Sequence, residues 1–372
     1  MSLRIEKVND KKSLKQFVRF PWKIYKNDPY WVPPIISQDL KFLNKSKGVF
    51  FASGEADYFL AFRDNEPVGR ISAQVNFQYE KFHDSDTGFF GFFECINDQE
   101  TADALFAAAR DWLLAKKKSK MVGPMNFTIY DICGVLYKGF DSSPVILLAY
   151  NPDYYNALLT GGGFHKSIDW YAFMVNRDVK IKPSFYRIKD RIIRSNDLEM
   201  RTIDMKRLDR EIKYIGEIFS DAWMENWGHV PLTDSQIRQL ASELKPVVVP
   251  ELTFLAFIKE KCVGFSLTIK DANPAIKKAN GRLLPFGLVK ILLELKNIKR
   301  LRTIAMGVLK EYRHRGIDIA FYVNTIEQGR KLKYEESECS IIVETNSRMI
   351  GALEDLQAKR YKTYRIYEKN LI

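Results

Sequence analysis

Histidine and cysteine are scarce in these 372 residues, at four each. The cysteines, Cys95, Cys133, Cys262 and Cys339, show no CxxC spacing and sit among apolar, strand-like neighbours. They read as buried structural thiols, and a disulfide framework is not expected. His83, His165, His229 and His314 form no HxxxH or HExxH pair, so no metal site is expected. No apolar run reaches the roughly 18 residues that a membrane span needs. The opening MSLRIEKVND lacks the apolar core of a secretory leader. A cytoplasmic chain is the expectation. Low-complexity and disorder-prone tracts are also missing.

What is present is ordinary for a globular chain, with 46% apolar and 28% charged residues. The length suggests two domains, and 13% aromatic residues give each a core. Lysine and arginine exceed the acids by 58 to 46, a net charge of +12. Such a surface attracts nucleotides, CoA, nucleic acid or acidic headgroups without choosing among them.

The pattern of elements occurs twice. In the first half, 3–8 predicts a strand and 11–45 holds helical patches. Strands over 58–64 and 66–76 form a hairpin, and another strand covers 88–96. A helix follows over 99–117, with early acids and late lysines that suit its dipole. A strand at 120–124, a helix at 151–159 ending on Gly161-Gly162-Gly163, and a strand at 168–175 close the half. The second half repeats the plan. It has a strand at 200–204, helices to about 244, a hairpin over 252–269, and a strand at 302–309. A helix at 317–332, a strand at 337–344, a helix at 348–358 and a strand at 363–371 complete it. The fold class is therefore α/β (α+β), with two tandem domains, 1–178 and 179–372. Each has a mixed, mostly antiparallel sheet flanked by helices. The segment 270–302 breaks the symmetry with nine Lys/Arg around the apolar run LLPFGLVKILLEL. It reads as an inserted helical arm or lid.

The stretch MGVLKEYRHRGIDIAF, 306–321, carries the most specific signal. A strand ends, a basic turn follows, and Gly316 opens a helix. Turn and helix N–H groups bind anions, glycine admits a phosphate closely, and Arg313 and Arg315 add charge. The stretch resembles motif A of the GNAT superfamily of N-acetyltransferases, R/Q-x-x-G-x-G/A. Arg313 and Gly316 match it, and Asp318 departs from it, placing an acid near the mouth of a diphosphate site. The downstream strand, Asn346 and final helix keep the family order over most of 200–372. The first half keeps the architecture without the loop, ending in YNPDYYNALLTGGGF. The chain is similar to tandem bacterial members of the superfamily.

The resemblance implies an acyl-CoA-dependent acyltransferase, with acetyl-CoA or another acyl-CoA as co-substrate and no metal. The amine acceptor attacks the thioester directly. Val308, Arg313, Arg315, Gly316, Ile317, Asp318 and Asn346 would hold the cofactor. Family members often use a tyrosine on the last helix to protonate the thiolate. Leu353 stands there, leaving Tyr361 and Tyr364 as substitutes by proximity. Glu344 is the candidate base. Trp223, Trp227 and His229 cluster where an acceptor would bind, and core packing explains the same cluster. Three readings stay open: the acyltransferase, a non-catalytic GNAT-like scaffold or CoA-binding module, and an aminoacyl-tRNA-dependent transferase. Nucleic acid is not the expected partner, because no reading motif is present. The final aromatic strand is available for pairing in a homodimer.

Overall fold

A computed structural model describes residues 2–195 and 198–372. In chain order the strands are β1 (Leu3–Lys7), β2 (Gly54–Arg63), β3 (Glu66–Asn76), β4 (Thr87–Cys95), β5 (Lys120–Gly123), β6 (Val135–Lys138) and β7 (His165–Asn176). They continue with β8 (Leu198–Thr202), β9 (Phe254–Ile258), β10 (Lys261–Lys270), β11 (Arg300–Val308), β12 (Glu336–Val343) and β13 (Lys359–Asn370). Both hairpins form where the sequence places them. Asp64 and Asn65, at φ 49° and 66°, turn β2 into β3, and Lys259 and Glu260, at 47° and 65°, turn β9 into β10. Two positive φ values match the right-handed twist of the flanking strands.

The described residues pack into two compact units. The first comprises Met1–Asp169, Asn273–Leu293 and Lys362–Ile372. Its sheet runs β1-β2-β3-β4-β5-β13, with β6 also on β13. Only β4 and β5 are parallel, over Thr87↔Lys120, Gly88↔Met121 and Phe89↔Val122. The two-residue period of β2 assigns its side chains to opposite layers. Phe59 and Ala61 join the core under the Gln99–Ala115 helix, with Leu105, Phe106 and Ala109. Tyr58, Leu60 and Phe62 join Phe17, Phe50 and Phe127 on the other side. Each large apolar side chain buried this way contributes about 1.5–3 kcal/mol. The short β6 was not visible as a separate strand. β13, the strand the sequence offers to a dimer, is hydrogen-bonded to β5 and β6 inside this unit.

The arm also folds with this first unit from Asn273 to Leu293. Asn273 donates to the Pro144 carbonyl at 2.8 Å, Ile36 N–H to Gly281 at 3.0 Å, and the Trp22 indole to Asn280 at 3.3 Å.

The second unit comprises Trp170–Ala272 and Glu294–Tyr361. Its strands run β7-β12-β11-β10-β9-β8, and only β11 and β12 are parallel. Ala256 and Val263 pack with Phe321 of the Ile317–Lys331 helix and Ile192 of the Pro183–Ser195 helix. Leu255 and Phe265 pack on the other face, against Ile218 of the Leu208–Trp223 helix.

A buried carboxylate fixes the start of that last helix. Glu211 is fully buried and accepts from Arg201 at 2.6 and 2.9 Å and from Arg210 at 3.0 Å. Burial alone would raise its pKa, but hydrogen bonds from Arg201, the Asp204 backbone and Arg210 outweigh burial and hold it below the usual value. A depressed folded pKa gives stability that is present above the unfolded pKa and lost as pH falls. Glu211→Gln is therefore expected to destabilise the protein by about 3 kcal/mol at pH 7. In urea unfolding series the loss should shrink as the pH drops below about 4, the unfolded carboxylate range. A loss that does not vary with pH would point to packing instead of charge.

Candidate functional site

Each unit bends one strand beside a parallel neighbour. In the second unit, β11 pairs with β12 from Arg300↔Glu336 to Thr303↔Cys339, and no pair follows among the described residues. On its other edge β11 stays on β10, through Leu267↔Ala305 and on to Gly264↔Val308. The register slips between Thr303 and Ala305, which leaves Ile304 as a bulge. A bulge bends and twists its strand. The slip lies where β11 leaves β12, and the two strands open into a wedge. The wedge lies beside a small pocket lined in part by Thr303, Met306, Tyr322, Ser337, Cys339 and Leu353. Leu353, where the family pattern has tyrosine, is a buried wall of this pocket.

The first unit repeats the geometry and closes it. The β3–β4 register slips between Arg70↔Glu94 and Ser72↔Gly91, where Phe92 has φ 48°. The chain fills the opening itself. Met125 N–H donates to the Phe90 carbonyl at 2.7 Å, and Phe92 N–H donates to the Asn126 side chain at 2.8 Å. A Cβ on Gly91 would lie 2.0 Å from the Met125 carbonyl oxygen, so glycine is required for this closure. The helix after β4 begins with Asp98 and Glu100, both paired to Arg63. No anion site is left there.

In the second unit β11 leads through the basic turn to Gly316, which has φ 88° and sits at the N-cap of the Ile317–Lys331 helix. The first-turn N–H groups of Ile317, Asp318 and Ile319 have no partner within the helix by construction. Arg313, expected to face a phosphate, grips the end of the Leu208–Trp223 helix instead. It donates to the carbonyls of Asp221 at 3.4 Å and Ala222 at 3.0 Å. Lys310 N–H reinforces this grip by donating to Asp221 at 2.6 Å. Arg315 is exposed and lies over the Tyr312 ring. Asp318 is paired with Arg348 at 3.1 Å, and Arg348 also reaches His314 at 2.7 Å. The acid at the helix start is thus matched by a cation from the next helix. Sequence reading missed Arg348, although it stands two residues beyond Asn346.

Asn346 caps the Ser347–Asp355 helix, accepting from Met349 N–H at 3.1 Å. Glu344 lies half-buried just past the end of β12. Tyr361 donates to Glu338 at 3.2 Å. Tyr364 is buried in the first unit, in register with Leu136, so the two tyrosines do not share a unit. Trp223 stacks on Phe219 at 4.4 Å, and Trp227 meets Trp170 edge-on at 5.8 Å. His229 is buried, 6.1 Å from Phe219 between ring centres.

Glu338 is the second residue missed. It is fully buried, 3.5 Å from Arg302, and accepts from Ser340 at 2.6 Å and from Tyr361. Burial pushes its pKa up, against the pull of Arg302, Ser340 and Tyr361. A charged residue inside the run SECSIIVE was the available signal, since buried charges need a partner or a task. Among the described residues, no group of three or more His, Cys, Asp or Glu is placed to hold a metal.

No family model matches the chain. It is similar to the bacterial ceramide synthase of Caulobacter vibrioides (strain NA1000 / CB15N), 33% identical over 365 residues that cover 96% of this chain and 95% of that protein. Protein YghO of Escherichia coli (strain K12) is 33% identical over 370 residues, covering 97% and 94%. Among solved structures, a tandem GNAT protein from the clavulanic acid biosynthesis pathway superposes with a TM-score of 0.58 at 13% identity, covering 100% of this chain and 99% of that one. A GCN5-related N-acetyltransferase from Sphaerobacter thermophilus gives 0.54 at 13% identity, covering 99% and 96%. At such identities the structures speak to the fold, and the fold they share with this chain is the tandem GNAT fold.

All four cysteines are buried, and burial pushes the Cys262 and Cys339 thiols up to about 12. Burial raises the Cys95 thiol too, so these three offer no thiolate near neutral pH. A thiol reagent at pH 8 is expected to label no cysteine in the native protein and four after denaturation. Rapid native labelling of Cys339, which lines the pocket, would identify a reactive thiol in the site.

Proposed function

The chain belongs to the family of the Caulobacter bacterial ceramide synthase and YghO, on a tandem GNAT-superfamily fold, and on that premise we propose that it is an acyl-CoA-dependent N-acyltransferase. One observation carries the reading: in the second unit a bulged strand leaves its parallel neighbour and ends on a glycine-opened helix. The backbone of β11 between Ile304 and Val308 would pair with the pantetheine amides. The diphosphate would lie on the N–H groups of Ile317 and Asp318, with Arg315 and Arg348 supplying charge. Arg313 holds the turn in shape. The acyl chain would enter the pocket beside the wedge.

A ceramide is an amide of a long-chain amino alcohol, so the relative's name favours a long-chain amine as acceptor. In the proposed reaction the amine nitrogen forms a bond to the thioester carbonyl carbon. The tetrahedral intermediate then expels sulfur. The ammonium proton passes through the Tyr361 hydroxyl to Glu338, and the same pair returns a proton to the departing CoA thiolate. A carboxyl whose pKa is raised by burial accepts a proton more readily than an exposed one and so suits a general base. Glu344 is the alternative base.

Two measurements test this. Calorimetric titration with a long-chain acyl-CoA should show binding. Arg348→Ala should weaken it about tenfold, or ~1.4 kcal/mol, by leaving Asp318 unmatched. Adding Asp318→Asn should recover much of that loss. Absence of binding by the wild type at millimolar acyl-CoA would sink the cofactor assignment. For the chemistry, thiol release with a long-chain primary amine should fall at least a hundredfold in Glu338→Gln, with unchanged acyl-CoA binding, measured at a temperature where circular dichroism shows the variant folded, because the change also removes the buried partner of Arg302 and lowers the melting temperature. Full activity in that variant would move the base to Glu344. Acyl-CoA binding without amide formation, by mass spectrometry, would favour the CoA-binding module.

A further inference from the structure

The arm residues that fold with the first unit present an apolar ridge to solvent. Leu284 is 79% exposed, Phe286 68%, Val289 53%, Leu292 53% and Leu293 60%. Leu288 is also exposed, so Leu288, Val289, Leu292 and Leu293 place exposed apolar side chains on one face of the Gly287–Glu294 helix. Contiguous exposed apolar surface is rare on soluble proteins and marks a surface that meets something. The base of the ridge is fixed, through the bonds of Gly281 to Ile36 and of Asn280 to Trp22.

The charges choose the occupant. From Ala272 to Leu293 the chain carries Lys277, Lys278, Arg282 and Lys290 and no acid, and Glu294 follows at the end of the helix, so the ridge is flanked by a net positive charge. Lys290 sits within the apolar helix, and Arg282 immediately precedes the ridge. A surface that offers hydrocarbon and negative charge side by side is an anionic lipid bilayer. We propose that Leu284–Leu293 seats the protein on such a bilayer, with Phe286, Leu288, Val289 and Leu292 in the acyl region and Arg282 and Lys290 at the phosphates. Eight helical residues span about 12 Å, far short of a bilayer, so the helix lies in the interface and does not cross it. The proposal holds whatever acyl donor or acceptor the second unit takes.

The test is co-sedimentation of the full chain with sucrose-loaded vesicles, either pure phosphatidylcholine or phosphatidylcholine with phosphatidylglycerol. The wild type should bind the anionic vesicles at least tenfold more strongly, less so as salt rises. Phe286→Ser with Leu292→Ser should lose at least tenfold in binding to the anionic vesicles. Arg282→Glu with Lys290→Glu should lose the preference for them. Melting temperatures should match the wild type in both pairs, because these side chains are exposed. Wild-type protein that stays in the supernatant with both vesicle types overturns the proposal, as do serine variants that sediment like the wild type. A dimer that the serine pair dissolves, without vesicle binding, assigns the ridge to a second copy and overturns it too.

Discussion

Four residue pairs hold β11 beside β12, and the parallel ladder stops at Thr303↔Cys339. Beyond that point the inner edge of β11 carries backbone donors and acceptors that have lost their strand partner. Backbone polar groups removed from water need partners. The two units meet the same requirement in different ways. In the first, Met125 and Asn126 supply the missing hydrogen bonds, and the space is gone. In the second, a pocket lies beside the open wedge. A ligand with amides along an extended arm could complete such a ladder, and the loop that follows offers its far end a helix N-terminus. The bulge, the wedge and the loop are consecutive consequences of one strand losing its neighbour.

The charges around the loop follow a related economy. Arg313 matches the family pattern, yet its guanidinium holds helix carbonyls and not open space. Asp318 departs from the pattern, yet Arg348 stands against it. A motif records which residues a loop needs, not which atom of each is turned toward the ligand. Here the arginine serves the shape of the turn, and a residue outside the motif balances the acid.

Much of the fold was legible because its signals are local. Two-residue periods, the acid-to-lysine gradient of the Gln99–Ala115 helix, and Gly316 between strand and helix all lie within one element or its edge. What was hidden depends on distance along the chain. Strand and helix patterns cannot say that Asn273–Leu293 and Lys362–Ile372 fold with residues 1–169. Nor can they bring Arg348 to Asp318 across thirty residues, or Tyr361 to Glu338. β6 was lost for a different reason: four residues inside a long aromatic stretch give too short a period to read.

Burial alone does not separate a structural acid from one that moves protons, and the two units supply the contrast. Glu94 in the first unit accepts from Tyr25 at 2.8 Å and Tyr155 at 2.7 Å, and both tyrosines are buried. Burial pushes the carboxyl up, and it pushes both phenols up as well. Glu94 also faces Arg70 at 3.5 Å and keeps 13% of its side chain exposed, so the cluster reads as an ion-paired network that ties β3 to β4. Glu338 is fully buried, and its tyrosine is half-buried at the start of β13. In the proposed reaction a proton would enter or leave Glu338 through that hydroxyl. In that reaction a desolvated acid beside a less buried hydroxyl is the arrangement general acid–base chemistry would use, and Glu338 with Tyr361 is the candidate pair for it.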